Sequence, residues 1–324
     1  MEFAFSTIVC ATDLTSESQG AEAAAVFFAQ KHNATLQIIS CNETFGDTFA
    51  YALESGAGYP EAWTPQNYDH ISEVIDKAVR NRIANLAPNF PPQKLRVSVR
   101  FGSTAGVILE EIKDLQPTKS LLVVGKRHKG KIEKILLGSV SQRIVSRSHI
   151  PVLVVPESAE RAHWPPQNIL AATSCRPGSE EAEFLAAHLA AQFQVQLHLV
   201  HIFEPPQPYF LLEPQLAGAG QFDFVNYEKL DEEMRHHRMI ELQRHQTKIA
   251  EICAPVSSTL KSGVVVDELL HYVTLQKAGL VVLGSHAGGG LKRFFLGGKA
   301  LQVVQLCSVP LLIVRHEDYA VHEH

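Results

Sequence analysis

The chain alternates short β-branched and aliphatic runs with longer stretches whose apolar positions recur at helical spacing. Residues 7–11, 35–39, 94–100, 121–124 and 151–155 read as strands. Between them, 17–32 reads as a helix with Ala21, Ala24, Ala25 and Phe28 on one face. A second helix over 68–86 carries Ile71, Val74, Ile75, Ala78, Val79 and Ile83 at i, i+3, i+4 positions. Further helices are predicted over 105–115 and 139–146. Strands that are apolar almost throughout predict a parallel sheet buried by helices on both faces.

The second half repeats this order. Gly125 and Gly284, Gly138 and Gly297, and Pro151 and Pro310 are each separated by 159 positions. Earlier pairs, Ile8 and Ile169, Thr12 and Thr173, Gly102 and Gly263, are separated by 161. Repetition at this length predicts two homologous domains, 1–157 and 167–324, joined by a polar, Pro-bounded linker over 158–166.

Composition narrows the function classes. A formal net charge of −5 with 19% charged residues gives no electrostatic footprint for nucleic acid. No apolar run reaches the ~20 residues that span a bilayer. The first ten residues lack a basic n-region, so a signal peptide is not expected and the protein is assigned to the cytoplasm. Cys10, Cys41, Cys175, Cys253 and Cys307 are scattered, as reduced thiols would be. The 16 histidines include His236, His237 and His245 on one helical stretch, but none has zinc-ligand spacing, so no metal is predicted.

In open parallel sheets, ligands bind beyond the carboxyl ends of the strands. There the chain places Thr12 and Asp13, Cys41, Gly102 and Gly125. Gly125 is followed by the basic run Lys126, Arg127, His128, Lys129, then by Gly138 and Ser139 at a predicted helix start. A glycine loop leading into a helix N-terminus can present backbone N–H groups to an anion. Two readings of Gly125 and Gly138 stand at this point: ligand approach, or a tight structural connection. Asp13 is equally a ligand contact or a helix cap. No phosphate-loop, dinucleotide or nucleophile-elbow motif is present, and dedicated catalysis is not expected. The long segments 41–67 and 203–226 are rich in aromatic residues, Pro and Gly, and their length predicts lids or docking surfaces.

With Asp13 after the first strand, the closing run Gly138-Ser139-Val140-Ser141 and the strand Val152-Leu153-Val154-Val155, the chain resembles the universal stress protein family. The resemblance covers 5–157 and 167–315 as a tandem pair. It implies two Rossmann-like α/β domains of the adenine-nucleotide α-hydrolase type, each with a five-stranded parallel sheet. It further implies that the final strands, 151–155 and 310–314, pair within the chain as an intramolecular pseudo-dimer; a further homodimer is a second expected assembly.

The family binds ATP or another adenine nucleotide, with Mg2+ accompanying the phosphates. Carried over residue by residue, Asp13 contacts ribose, and Thr12 and Cys41 surround adenine. Gly125, Arg127, His128, Gly138, Ser139, Val140 and Ser141 form the phosphate loop. His128 departs from the family pattern, which has glycine there. The second site, Thr173, Ser174, Gly284, Gly290, Gly297 and Gly298, reads as degenerate. Ser174 replaces the carboxylate of Asp13, and Gly298 the hydroxyl of Ser139. The implied function is a stress-associated regulator with at most slow ATP hydrolysis. The alternative is a nucleotide-free protein- or small-ligand-interaction module.

Overall fold

The structure, a computed structural model, describes residues 3–43, 65–126, 138–157, 163–176, 178–205, 227–285 and 296–315. The first half contains β1 (Thr7–Thr12), α1 (Gln19–Lys31), β2 (Thr35–Asn42), α2 (Pro65–Leu86), β3 (Leu95–Phe101), α3 (Thr104–Ile112), β4 (Ser120–Lys126), α4 (Ser139–Arg147) and β5 (Val152–Pro156). The second contains β6 (Asn168–Ala172), α5 (Glu180–Phe193), β7 (Gln196–Phe203), α6 (Tyr227–Ala250), β8 (Val256–Ser262), α7 (Val265–Leu275), β9 (Leu280–Gly284), α8 (Gly298–Leu306) and β10 (Leu311–Val314).

The strands form one ten-stranded sheet in the order β3-β2-β1-β4-β5-β10-β9-β6-β7-β8. Pairing is parallel within each half. The halves meet where β5 and β10 pair antiparallel, with Leu153 opposite Leu312. The expected pairing of the two final strands is therefore present, and it removes two sheet edges at once.

Alternate strand residues enter two cores. Ile8 and Cys10 belong to the core that α1, α2, α5 and α6 cover, and Val9 to the core that α3, α4, α7 and α8 cover. Small residues on α1, including Ala21, Ala24 and Ala25, let that helix lie close on the sheet. The linker contributes to this packing: Trp164 stacks on Phe27 at 5.5 Å and meets Phe28 edge-on at 5.3 Å. Phe3 stacks on His188 of the second domain at 5.5 Å. Among the described residues no helix is long and apolar enough to cross a membrane.

Two elements differ from the sequence pattern in a useful way. α3 ends at Ile112, short of the predicted 115, and β4 runs on past Gly125 to Lys126. The second difference carries Lys126 into the protein interior.

Candidate functional site

A cavity of about 610 Å³ opens at the carboxyl ends of β1, β2 and β4 in the first domain. The strand order reverses between β1 and β4, so this is the topological switch point. Its volume falls in the range of small-molecule sites. Ala11, Ile39, Ile75, Ile108, Val124 and Ile144 line it with apolar surface, and Asp13, Asn42 and Ser139 are among its polar groups. Thr12, Asp13, Cys41, Gly125, Gly138, Ser139, Val140 and Ser141 all line this one cavity. Arg127 and His128 lie outside the described residues, as does Gly290.

The loop after β1 is held from behind. The Thr12 hydroxyl is buried and donates to the Glu22 carboxylate on α1, while accepting the Leu14 N–H at 3.0 Å. Arg82 of α2 then ties the loop down. Its Nε donates to Glu22 at 2.5 Å, and its Nη1 and Nη2 donate to the carbonyls of Leu14 and Thr15, each at 2.6 Å. Leu14 has φ of 62°, a left-handed conformation that a leucine keeps only when its surroundings determine it. Thr12 thus lines the cavity while its hydroxyl serves this scaffold.

Asp13 is exposed, and its Oδ1 accepts from the Thr15 N–H at 3.1 Å and hydroxyl at 2.7 Å. The helical segments that follow have Thr15 and Ser18 at their N-caps, and neither makes a side-chain cap bond. The Cys41 thiol donates to the Gly102 carbonyl at 3.2 Å, and burial first of all raises its pKa. It is a neutral wall of the cavity.

The phosphate-type element is the start of α4. Gly138 is its N-cap, and the first intrahelical bond is Gln142 N–H to the Gly138 carbonyl at 2.9 Å. The N–H groups of Ser139, Val140 and Ser141 precede that bond and have no partner within the helix. Gly138 has φ of −61°, which any residue adopts, and a Cβ there meets no described atom within 4 Å. Neither backbone conformation nor packing against the described residues demands glycine at this position. The Ser141 hydroxyl donates to the Gly125 carbonyl at 3.1 Å, binding α4 to the end of β4.

Lys126 points elsewhere. It is 1% exposed, and its Nζ donates to the carbonyls of Val304, Gln305 and Cys307 at 2.7, 2.6 and 3.0 Å. Its place beside Gly125 in the basic run suggested positive charge near an anion; the structure spends that charge on the second domain.

The second domain keeps the scaffold and changes the residues at the equivalent positions. The Thr173 hydroxyl donates to Glu183, Cys175 N–H donates to Thr173 Oγ1 at 2.9 Å, and His245 of α6 bonds Glu183 at 2.6 Å. Where the first domain has Ser40, Cys41 and Asn42, the second has His201, Ile202 and Phe203, 161 positions on and all buried. The His201 ring bonds the Thr173 carbonyl at 2.8 Å, and burial lowers its pKa, so Nδ1–H is the donor of a neutral imidazole. Lys299, 159 positions after Val140, donates to Glu204 just beyond β7. That ion pair spans the mouth which corresponds to the cavity of the first domain. Ser174 carries a buried hydroxyl with no hydrogen-bond partner among the described residues. Gly284, Gly297 and Gly298 keep their places at the end of β9 and the start of α8.

Glu22 and Arg82 were missed by sequence reasoning. Their signal was an acidic residue on the alanine face of a helix, repeated as Glu183 at the offset of 161. The histidines are otherwise employed: His198 bonds Ser257 at 2.7 Å, and His237 lies 3.2 Å from Glu241.

The comparisons agree with this architecture. The Universal stress protein family profile matches residues 4–156 and 166–315. The chain belongs to the universal stress protein family, as a tandem two-domain member. Universal stress protein Rv1996 of Mycobacterium tuberculosis is 28% identical over 210 residues, which cover 65% of this chain and 63% of that protein. Universal stress protein Rv2005c of the same organism is 25% identical over 261 residues, covering 79% and 81%. A crystal structure of a universal stress protein from Archaeoglobus fulgidus superposes with a TM-score of 0.64 at 15% identity, covering 96% of this chain and 98% of that one. At that identity the likeness concerns the fold.

Proposed function

We propose that this protein is a stress-associated regulator that binds one adenine nucleotide, ATP in the first instance, in the cavity of its N-terminal domain. One observation carries the reading: a cavity of about 610 Å³ joins an apolar floor, the Asp13 carboxylate and the N–H groups at the start of α4 that precede its first intrahelical bond. Apolar walls suit a purine, an exposed carboxylate can accept ribose hydroxyls, and a helix N-terminus suits phosphate. Among the described residues no group of three or more His, Cys, Asp or Glu could hold a metal, so Mg2+ would arrive with the phosphates. Asp13 is engaged by Thr15, and Glu43 by the Thr104 N–H at 2.8 Å. Neither is poised as a base for water, and turnover at most slow follows. Five free thiols suit the reducing cytoplasm.

Isothermal titration of the full chain with ATP and Mg2+ tests this. The expected result is one ATP per chain for the wild type, and none for Gly138→Val with its unfolding midpoint retained. No heat for the wild type overturns it.

The second domain, with Ser174 and Gly298 where the first has Asp13 and Ser139, favours a different role for that half, as a scaffold and interaction module. If the whole chain acts that way, mass spectrometry of gently purified protein will find no co-purified nucleotide.

A further inference from the structure

Two cations cross the domain boundary in opposite directions. Lys126, at the end of β4, donates to Val304, Gln305 and Cys307 at the C-terminal end of α8. Arg315, the residue after β10, reaches back and donates from Nη2 to the Val145 carbonyl at 3.1 Å, in the last turn of α4. Val145 and Val304 are 159 positions apart, so both cations meet the equivalent carbonyl of the repeat. The donors are not equivalent: Ser285 stands 159 after Lys126, and Pro156 stands 159 before Arg315. Each contact is therefore made independently and is no by-product of the duplication.

The chemistry is that of a helix C-terminus. Its last carbonyls lack intrahelical partners and carry partial negative charge, which a cation relieves. Burying an ammonium with no carboxylate beside it is costly. Burial lowers the Lys126 pKa to about 8, opposed by the thiol of Cys307, the titratable neighbour that raises it. Such a group is an unusual way to join two domains that already share a β5–β10 ladder and an aromatic cluster.

Both contacts grip parts of the candidate site. Gly125 lines the cavity, accepts from Ser141, and immediately precedes Lys126. α4 lines the cavity with its first residues and is held by Arg315 at its far end. We propose that Lys126 and Arg315 are positioning residues for the N-terminal cavity, through which the second domain sets the end of β4 and the start of α4 in ligand-binding geometry. The affinity consequence rests on the nucleotide reading above; the geometric consequence does not.

Hydrogen exchange and titration on the full chain test both. In ligand-free Lys126→Met and in Arg315→Met, the amides of 142–145 should exchange about tenfold faster than in the wild type. Leu189→Ala, buried on the opposite face of the sheet, destabilises the second domain without touching either contact and should leave those amides alone. ATP should bind each Met variant about tenfold more weakly. ATP should also slow exchange of residues 305–307 in the wild type and fail to do so in Lys126→Met, because coupling is reciprocal. Unchanged exchange at 142–145 in both Met variants, or an equal rise in Leu189→Ala, overturns the proposal. If the wild type binds no ATP, the nucleotide reading fails and the ligand-free exchange alone decides.

Discussion

His245 Nδ1 lies 2.6 Å from a Glu183 carboxylate oxygen, in the place where the first domain uses Arg82 against Glu22. The same buried glutamate, on the same alanine-rich helix face, is neutralised by a permanent cation in one domain and by a titratable one in the other. The Glu183 hydrogen bond raises the His245 pKa, burial opposes it, and Glu180 and Lys248 act in opposite senses from nearby.

A raised folded-state pKa gives stability that is complete below the unfolded value of about 6.5 and is lost as pH rises through the folded value. Unfolding free energy of the wild type should therefore fall relative to His245→Gln from pH 6 upward. Urea titrations of both proteins at several pH values check this. Parallel pH curves would refute it. Buried His201 and half-buried His188, whose pKa values burial lowers, contribute in the reverse sense to both proteins and cancel in the difference.

Arg82→Met should cost about 3 kcal/mol, because it leaves the Glu22 carboxylate buried without its cation. It also releases the carbonyls of Leu14 and Thr15, so the Asp13 loop should gain mobility. Denaturant unfolding gives the first quantity, and amide exchange of residues 13–15 the second. A loss below about 1 kcal/mol would show that water replaces the guanidinium.

Two glycines separate folding from binding. Gly263 has φ of 143°, and a Cβ there would lie 2.8 Å from Glu268 Cγ. Gly263→Ala should cost about 1–3 kcal/mol. Gly138→Ala meets open space at an ordinary φ and should cost less than about 1 kcal/mol, while weakening ATP binding. Thermal unfolding and titration of the two variants give the comparison.

Lys299 and Glu204 are 58% and 43% exposed, so their ion pair should contribute less than about 1 kcal/mol. Lys299→Ala should leave stability nearly unchanged. It should also leave ATP stoichiometry at one, because the second site still has Ser174 in place of the Asp13 carboxylate and Gly298 in place of the Ser139 hydroxyl. Calorimetric stoichiometry checks this; a second equivalent of ATP would mean the ion pair alone had closed the site.

The repeat was legible because strands and helices impose local periods, and because Gly102 and Gly263 stand at the same left-handed turn in both domains, with φ of 129° and 143°. The gathering of Thr12, Asp13, Cys41 and 138–141 around one cavity was legible from strand carboxyl ends. The occupation of those groups was not. The Thr12 hydroxyl turns to Glu22, and Ser141 to Gly125, because packing brings each an internal partner that no short-range pattern announces.

By itself the sequence determined two tandem α/β domains and the order of their strands and helices. Those features follow from hydrophobic periodicity and turn chemistry within a few tens of residues. The tertiary structure decided where the charges go. Lys126 meets carbonyls 178 to 181 positions away, and Lys299 meets Glu204 across 95, so one basic residue joins the domains and another pairs within the second. A side chain adjacent in sequence to a loop can lie on either side of the sheet edge that ends there. Only the packed partner domain fixes which, because its unpaired helix carbonyls offer a buried ammonium the hydrogen bonds that solvent would otherwise supply.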